Sequence, residues 1–377
     1  MLTTDPTGSR PATALPDHIQ ALPELDRAWR ASSAGERLMA VRRSAPRLRE
    51  RVLASGRVTC ARTFDISPLP YPTRFAFAGA ARSPIPYVLM TNRCNLVQLA
   101  TSAGPKTLLW NPTDAARSAK TPFFADLTAG LGPALRRRVE AHLRRPTAAE
   151  SLSQLGVRPE DVDYVAFDHL HTQDLRGLLG TRHTPAAFPN ARLLIQRAEL
   201  AILSALHPFQ RPWFIPDAIE DVAPDRFLVT DDDLLLGEGV ALIRTPGHTA
   251  GNWSLVINTD RGVWAVSENG VACDSYAPEA SRIPGLSRFA AHNGLEVVLN
   301  SNTLEGRNEQ YTSMILEKAL VDRCPDNPAF YQHLSSSELT SSLLTPGLSP
   351  TYHHGGVNSG SVRRSGAGAD QPREITR

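Results

Sequence analysis

Residues 161–180 read DVDYVAFDHLHTQDLRGLLG, and they constrain the chain more than any other stretch. The apolar run Val162, Tyr164, Val165, Ala166 and Phe167 has the length and make-up of a buried strand, and it leads straight into Asp168, His169, Leu170 and His171. Side chains two apart on an extended chain share a face, so His169 and His171 can reach one point beyond the strand end. Residues 243–251, IRTPGHTAG, have a similar layout: a strand stops at a Pro-Gly turn and presents His248. Three imidazoles carried on strand ends are the donor set of a catalytic divalent-metal site, with a fourth position open to water. A lone HxH pair would say little. Combined with TPGHT, each behind a strand, it selects His169, His171 and His248 as ligands. His18, His142, His183, His207, His292 and His333 stand alone in the sequence, and ordinary surface or hydrogen-bonding roles are expected of them.

The order strand, HxHxxD, strand, TPGHT resembles the metallo-β-lactamase fold superfamily. Other stretches follow the same order. Residues 91–114 resemble the family's early hairpin, 155–165 its approach to the metal loop, and 188–199 the segment after it. The resemblance runs from Pro86 to Lys318. It implies an α/β fold, a four-layer αββα sandwich, here with an added N-terminal helical segment. It also implies a metallo-hydrolase.

The departures from the family pattern carry as much information. The usual signature is HxHxDH, followed by a bridging Asp and a last His. Here Gln173 and Asp174 replace the DH pair, Glu268 or Asn269 falls where the bridging Asp is expected, and Asn302 falls where the last His is expected. The resemblance therefore implies one intact three-His site beside a dismantled second one. It implies one divalent metal per chain, zinc being the expected ion and iron the alternative.

Asp174 reads in two ways: as an extra ligand or base, or as a residue favoured at a helix start by the dipole. Gln173 can orient a water but cannot accept its proton. Asp168 is a candidate acceptor behind an imidazole, and Glu268, Asn269 and Asn302 are candidates around the metal. The chemistry implied is metal-assisted hydrolysis of an ester, lactone, thioester or amide, because a bound ion lowers the pKa of water towards ~7. A mononuclear iron oxygenase or other redox enzyme on the same fold, and a non-catalytic metal-binding relative, are the alternatives.

The formal charge of +2 over 377 residues gives no reason to expect a nucleic-acid partner. The Arg-rich stretch 17–53 interleaves Glu24, Asp26, Glu36 and Glu50, as a solvated amphipathic helix face does. Four scattered cysteines form no CxxC pair and are expected reduced, with Cys273 a small packed residue near the site. No secretory signal or membrane-length apolar run is evident, so a cytoplasmic protein acting on a small molecule, without membrane contact, is expected.

Four segments are expected: a disordered 1–16, a helical 17–56, a catalytic domain over 57–350 and a flexible tail over 351–377 containing His353 and His354. The helical segment is expected to break at Pro46 and to pack on the catalytic domain or, in a homo-oligomer, on a partner subunit. Residues 57–77 are expected to be interrupted by Pro68, Pro70 and Pro72. A last strand is expected over 296–299, and the loop 207–217 offers Trp213 and Phe214 as candidate pocket walls.

Overall fold

Several strands of this chain are apolar on both faces, which demands a packed layer on each side. The computed structural model, which describes residues 14–130, 132, 134, 145–301 and 306–366, supplies those layers. One sheet has the order β1 (Gln20–Leu22), β8 (Asp233–Gly237), β9 (Val240–Arg244), β10 (Trp253–Thr259), β11 (Gly262–Ser267) and β12 (His333–Ser335). The other has the order β14 (Asn358–Gly360), β2 (Cys60–Pro72), β3 (Tyr87–Leu99), β4 (Lys106–Trp110), β5 (Tyr164–Ala166), β6 (Arg192–Gln196) and β7 (Phe227–Thr230), with β13 (Ser337–Leu339) also on β3.

Three apolar clusters show how the layers stack. Between the sheets, Leu108, Trp110, Ala166, Leu194 and Leu228 meet Leu242, Trp253, Leu255 and Val266. On the far face of the larger sheet, Leu96, Leu109, Val165 and Leu193 pack under Leu152, Leu286 and Ala290 of the helices Ala148–Gln154 and Leu286–Asn293. On the far face of the smaller sheet, Ala241, Ile243, Val256 and Val263 pack under the helices Ala34–Ala54 and Arg307–Leu320. The order is helix, sheet, sheet, helix: the expected αββα sandwich. Each large apolar side chain buried this way contributes roughly 1.5–3 kcal/mol.

Four local expectations need correction. The segment 17–56 is not wholly helical, because Gln20–Leu22 pairs antiparallel with β8. Pro46 lies inside the helix Ala34–Ala54 and does not end it. Burial of Ala45, Leu48 and Val52 beside it offsets the cost, roughly 3 kcal/mol, of a proline in a helix interior. Pro68, Pro70 and Pro72 lie within β2. Residues two apart on a strand direct their backbone groups the same way, and Thr73, of the other parity from the three prolines, donates its N–H to Pro86 O beside β3 at 2.9 Å. The missing N–H groups therefore fall on the unpaired edge, where proline is tolerated. Residues 296–299 are buried at Val297 and Val298 but form no strand.

The chain end is docked over part of the expected flexible tail. β14 pairs with β2, Val357 enters the inter-sheet core, and the Gln98 side chain bonds both backbone groups of Arg363, at 3.0 and 2.7 Å. The His354 ring lies 4.9 Å from that of Trp264. An edge strand with an unpaired flank gives the tail a template, which its Gly/Ser-rich composition hides. Residues 1–13 and 367–377, on which the remaining disorder expectations fall, lie outside the described residues. Among the described residues no helix is long and apolar enough to cross a membrane.

Candidate metal centre

His169, His171 and His248 come together as the two sequence motifs predict. Their candidate ligand atoms all lie within 4.8 Å of one another, and no other described group of three His, Cys, Asp or Glu residues does this. Ring centroids are 4.5 Å apart for His169 with His171 and with His248, and 5.2 Å for His171 with His248. All three are buried.

Local backbone makes this convergence. β5 delivers the first loop, which Trp253 at the start of β10 holds by donating its backbone N–H to Asp168 O at 3.0 Å. After His171 the chain turns sharply at Thr172, whose φ of 62° is left-handed and rare for a β-branched residue. Thr172 N–H donates to Trp213 O at 2.7 Å, which helps hold that conformation. In the second loop Gly247 has φ 131°, and a Cβ there would fall 2.1 Å from Gln310 N. Only glycine fits this turn before His248.

Two of the rings are oriented through Nδ1. His169 Nδ1 faces Asp168 Oδ1 at 2.8 Å, and His248 Nδ1 faces the Asn300 carbonyl at 3.2 Å. Each then has Nε2 left for a ligand role. Burial, followed by the neighbouring imidazoles His169 and His248, pushes His171 well below its ordinary pKa. Burial and then His169 push His248 down to about 3. Both are therefore neutral at ordinary pH, the form that binds metal. For Asp168, burial acts upward, but His169 and the hydrogen bonds from His169, Ser336 and Asn111 outweigh it and hold the carboxyl low. Buried neutral imidazoles converging on one point beside an ionised carboxylate fit a divalent cation.

The other expected site residues fare differently. Asp174 does not join the three imidazoles. Its Oδ1 accepts from Arg176 N and Nε at 3.1 and 2.9 Å, and its Oδ2 from Arg176 Nη2 and Arg117 Nη1 at 2.7 and 3.3 Å. Both oxygens of Asp174 are thus turned to arginines, apart from the three imidazoles. Gln173 is buried, and its Oε1 has no hydrogen-bond partner among the described residues. Glu268 accepts from Asn300 Nδ2 at 3.2 Å; burial, then the Asp168 charge, raises its pKa well above the usual range. Asn269 Nδ2 turns away, donating to Glu317 Oε1 at 2.9 Å. Asn302 lies outside the described residues.

Trp213 and Phe214 are both buried beside His171, with ring centroids 6.3 and 4.7 Å from it. Trp213 stacks on Phe123 at 4.4 Å, meets Phe75 edge to face at 6.0 Å and tilts against Tyr71 at 6.0 Å. An aromatic wall thus flanks one side of the centre.

Sequence reasoning missed Asn111, Asn300, Tyr71 and Glu199. Asn111 Nδ2 donates to Asp168 Oδ2 at 3.1 Å, and Tyr71 OH donates to Asn300 Oδ1 at 2.8 Å. A usable signal existed for Asn111 alone: it follows β4, the parallel neighbour of β5, at the same sheet end. The other three arrive through tertiary contacts between distant segments.

No protein-family model matches the chain. N-acyl homoserine lactonases from a Bacillus species and from Bacillus cereus are each 29% identical to it over 110 residues, 29% of this chain and 38% of the lactonase. The match thus spans less than half the length of these relatives. Among solved structures, an N-acyl homoserine lactone hydrolase with N-hexanoyl-L-homoserine at its catalytic metal centre is 20% identical, with a TM-score of 0.43 over 63% of this chain and 87% of that chain. AidC, a dizinc quorum-quenching lactonase, is 15% identical, with a TM-score of 0.41 over 60% and 79%. The αββα layering and the three converging imidazoles agree with the resemblance to the metallo-β-lactamase fold superfamily that the motif order carries.

Proposed function

We propose that this protein is a metal-dependent hydrolase of a small ester, lactone, thioester or amide, with lactones the first class to test. The observation that carries the reading is the group of three buried imidazoles, two of them neutral at ordinary pH and two anchored through Nδ1. His169, His171 and His248 would hold one divalent cation, zinc before iron. Such an ion supplies Lewis acidity towards a carbonyl and lowers the pKa of a coordinated water to about 7.

The chain's own residues do the rest. Asp168 and the Asn300 carbonyl keep two imidazoles in the binding tautomer. Gln173 Oε1, buried and without a protein partner, is the acceptor we assign to orienting the attacking water. With Asp174 turned to its arginines, Glu268, which burial and then the Asp168 charge hold towards the protonated form, is the carboxyl we assign to giving a proton to the leaving group. The wall of Trp213, Phe214, Phe123 and Phe75 suits an apolar substituent on the substrate. The name of the similar Bacillus proteins supports placing lactones first.

Elemental analysis combined with a panel of lactones, esters, thioesters and amides tests this reading. The expected result is about one transition metal per chain, with turnover of at least one panel member lost in His169→Ala along with the metal. Oxygen consumption without hydrolysis would favour the redox alternative. Absence of bound metal in freshly purified, folded protein would sink both.

A further inference from the structure

We infer that Glu199 is a positioning residue for the metal centre: its buried carboxylate latches the loop that carries His169 and His171 to the loop that carries His248. This rests on the metal-site reading above and adds to it a residue that touches no ligand nitrogen.

Glu199 lies in the first turn of the helix Arg197–Ser204 and is 1% exposed. Its Oε1 accepts from Leu170 N–H at 2.7 Å, and Leu170 stands between His169 and His171. Its Oε2 accepts from Thr249 Oγ1 at 2.6 Å, and Thr249 immediately follows His248. One side chain therefore spans the two segments whose spacing defines the site, although they lie 77 residues apart (248 − 171). Leu170 N–H leaves the strand at a sharp turn and has no ladder partner, so a buried acceptor must satisfy it. Among the described residues Glu199 is the acceptor of that N–H.

The close fit of the backbone fixes the same geometry from another direction. A Cβ at Gly251 would fall 2.2 Å from Glu199 N, so TPGHTAG lies directly on the start of the Glu199 helix. The loop can approach that closely only with glycine at this position. A carboxylate bonded to both loops, on a helix that one of them touches, leaves little freedom for the imidazoles to separate. Glu199 also makes no ion pair with Lys or Arg among the described residues. Burial pushes its pKa up, while the His169 charge and the hydrogen bonds from Thr249, Leu170 and Gly251 act the other way. Groups that fix a ligand's orientation in this way typically change metal affinity by about 10- to 100-fold when removed.

The test measures zinc affinity by chelator competition and, separately, thermal unfolding of the metal-free protein. Neither readout needs a substrate. Glu199→Gln keeps an acceptor for Leu170 N–H but removes the charge, and the expected result is roughly tenfold weaker zinc binding with a metal-free melting temperature close to wild type. Thr249→Val removes the second bond and should weaken zinc by a similar factor. Thr249→Ser restores the hydroxyl and should restore the affinity. If Glu199→Gln does not fold, the Thr249 pair decides alone. Wild-type affinity in both Glu199→Gln and Thr249→Val overturns the latch. An equal loss in Thr249→Ser and Thr249→Val also overturns it, because packing and not the hydroxyl would then be responsible. If the wild-type protein binds no zinc, it is the metal-site reading that fails.

Discussion

Asp168 Oδ1 lies 2.8 Å from His169 Nδ1, so the residue just before the first ligand also sets that ligand's orientation. The carboxylate is itself held on its other oxygen by Asn111 at 3.1 Å. Asn111 follows Trp110 of β4, which pairs in parallel with Ala166 of β5. Strand pairing thus aligns the end of β4 with the base of the metal loop. The sheet register, the carboxylate and the imidazole form one chain of constraints.

Removing that carboxylate should release the ring. Asp168→Ala is expected to weaken zinc binding by about 10- to 100-fold while His169 remains in place. Asp168→Asn can still offer an amide oxygen to Nδ1 and should lose less. Chelator competition on the two variants checks the order. Equal affinity in all three proteins would mean that the 2.8 Å contact contributes nothing to binding.

The buried imidazoles also predict how the metal-free protein responds to acid. His248 has a folded-state pKa of about 3 against an ordinary 6.5, and His171 is lowered in the same direction. The unfolded chain therefore binds their protons first. Their contribution is fully present above about pH 6.5 and drains away as pH falls towards 3. Melting temperatures at pH 7, 5 and 4 should fall steeply for wild type and less steeply for His248→Gln. The difference between the two proteins isolates His248 from the carboxylates, which titrate in both. Parallel curves would show that His248 is not held neutral by the fold.

The ligands were legible because conformation and chemistry sit in the same few residues. An apolar strand ending in HxH and a PGH turn each specify where an imidazole must go. The layers were expected from the resemblance and not from the runs themselves, although β10, buried at every position, fits a strand covered on both faces. Glu199 and Asn300 were not legible: the segment 188–199 carries a pattern, but nothing in it indicates that its last carboxylate turns back to both loops, and Asn300 reaches the centre from a stretch with no regular structure. Pro68, Pro70 and Pro72 misled for a simpler reason. Proline marks a strand as broken only if its nitrogen faces a partner, and here the i, i+2 spacing turns all three to one free edge.

The docked chain end makes a stability prediction opposite to that expected of a flexible tail. Deleting residues 357–377 removes β14, the Val357 side chain from the inter-sheet core and both Gln98 bonds to Arg363. A buried Val contributes about 1.5 kcal/mol or more, and hydrogen bonds about 1 kcal/mol each. At roughly 2–4 °C per kcal/mol for a chain of a few hundred residues, the melting temperature should drop by several degrees or more. Differential scanning calorimetry reads this directly, and an unchanged midpoint would show that the docking contributes no net stability.

Asp174 is the residue on which motif and structure disagree most, so its substitution separates them most cleanly. As the acid of HxHxxD it reads as a base or ligand, and its loss would then cost about 10² to 10⁴ in turnover. In the structure both oxygens are occupied by Arg176 and Arg117. Burial acts upward on its pKa, but the Arg176 bonds and the two arginine charges outweigh it and keep the carboxyl ionised and low. A carboxylate so engaged has no spare acceptor for a proton. Asp174→Asn should therefore keep full metal content and turn over within about threefold of wild type, which is small beside the general-base scale. It should instead lower stability by about 1–2 kcal/mol, the range for hydrogen bonds to charged groups whose partners stay partly solvated; the two arginine side chains are 23% and 28% exposed. Metal analysis, steady-state turnover and a melting curve on the one variant give the answer together. A fall of a hundredfold or more in turnover with metal and melting temperature intact would return Asp174 to the chemistry and make the arginine clamp a resting arrangement.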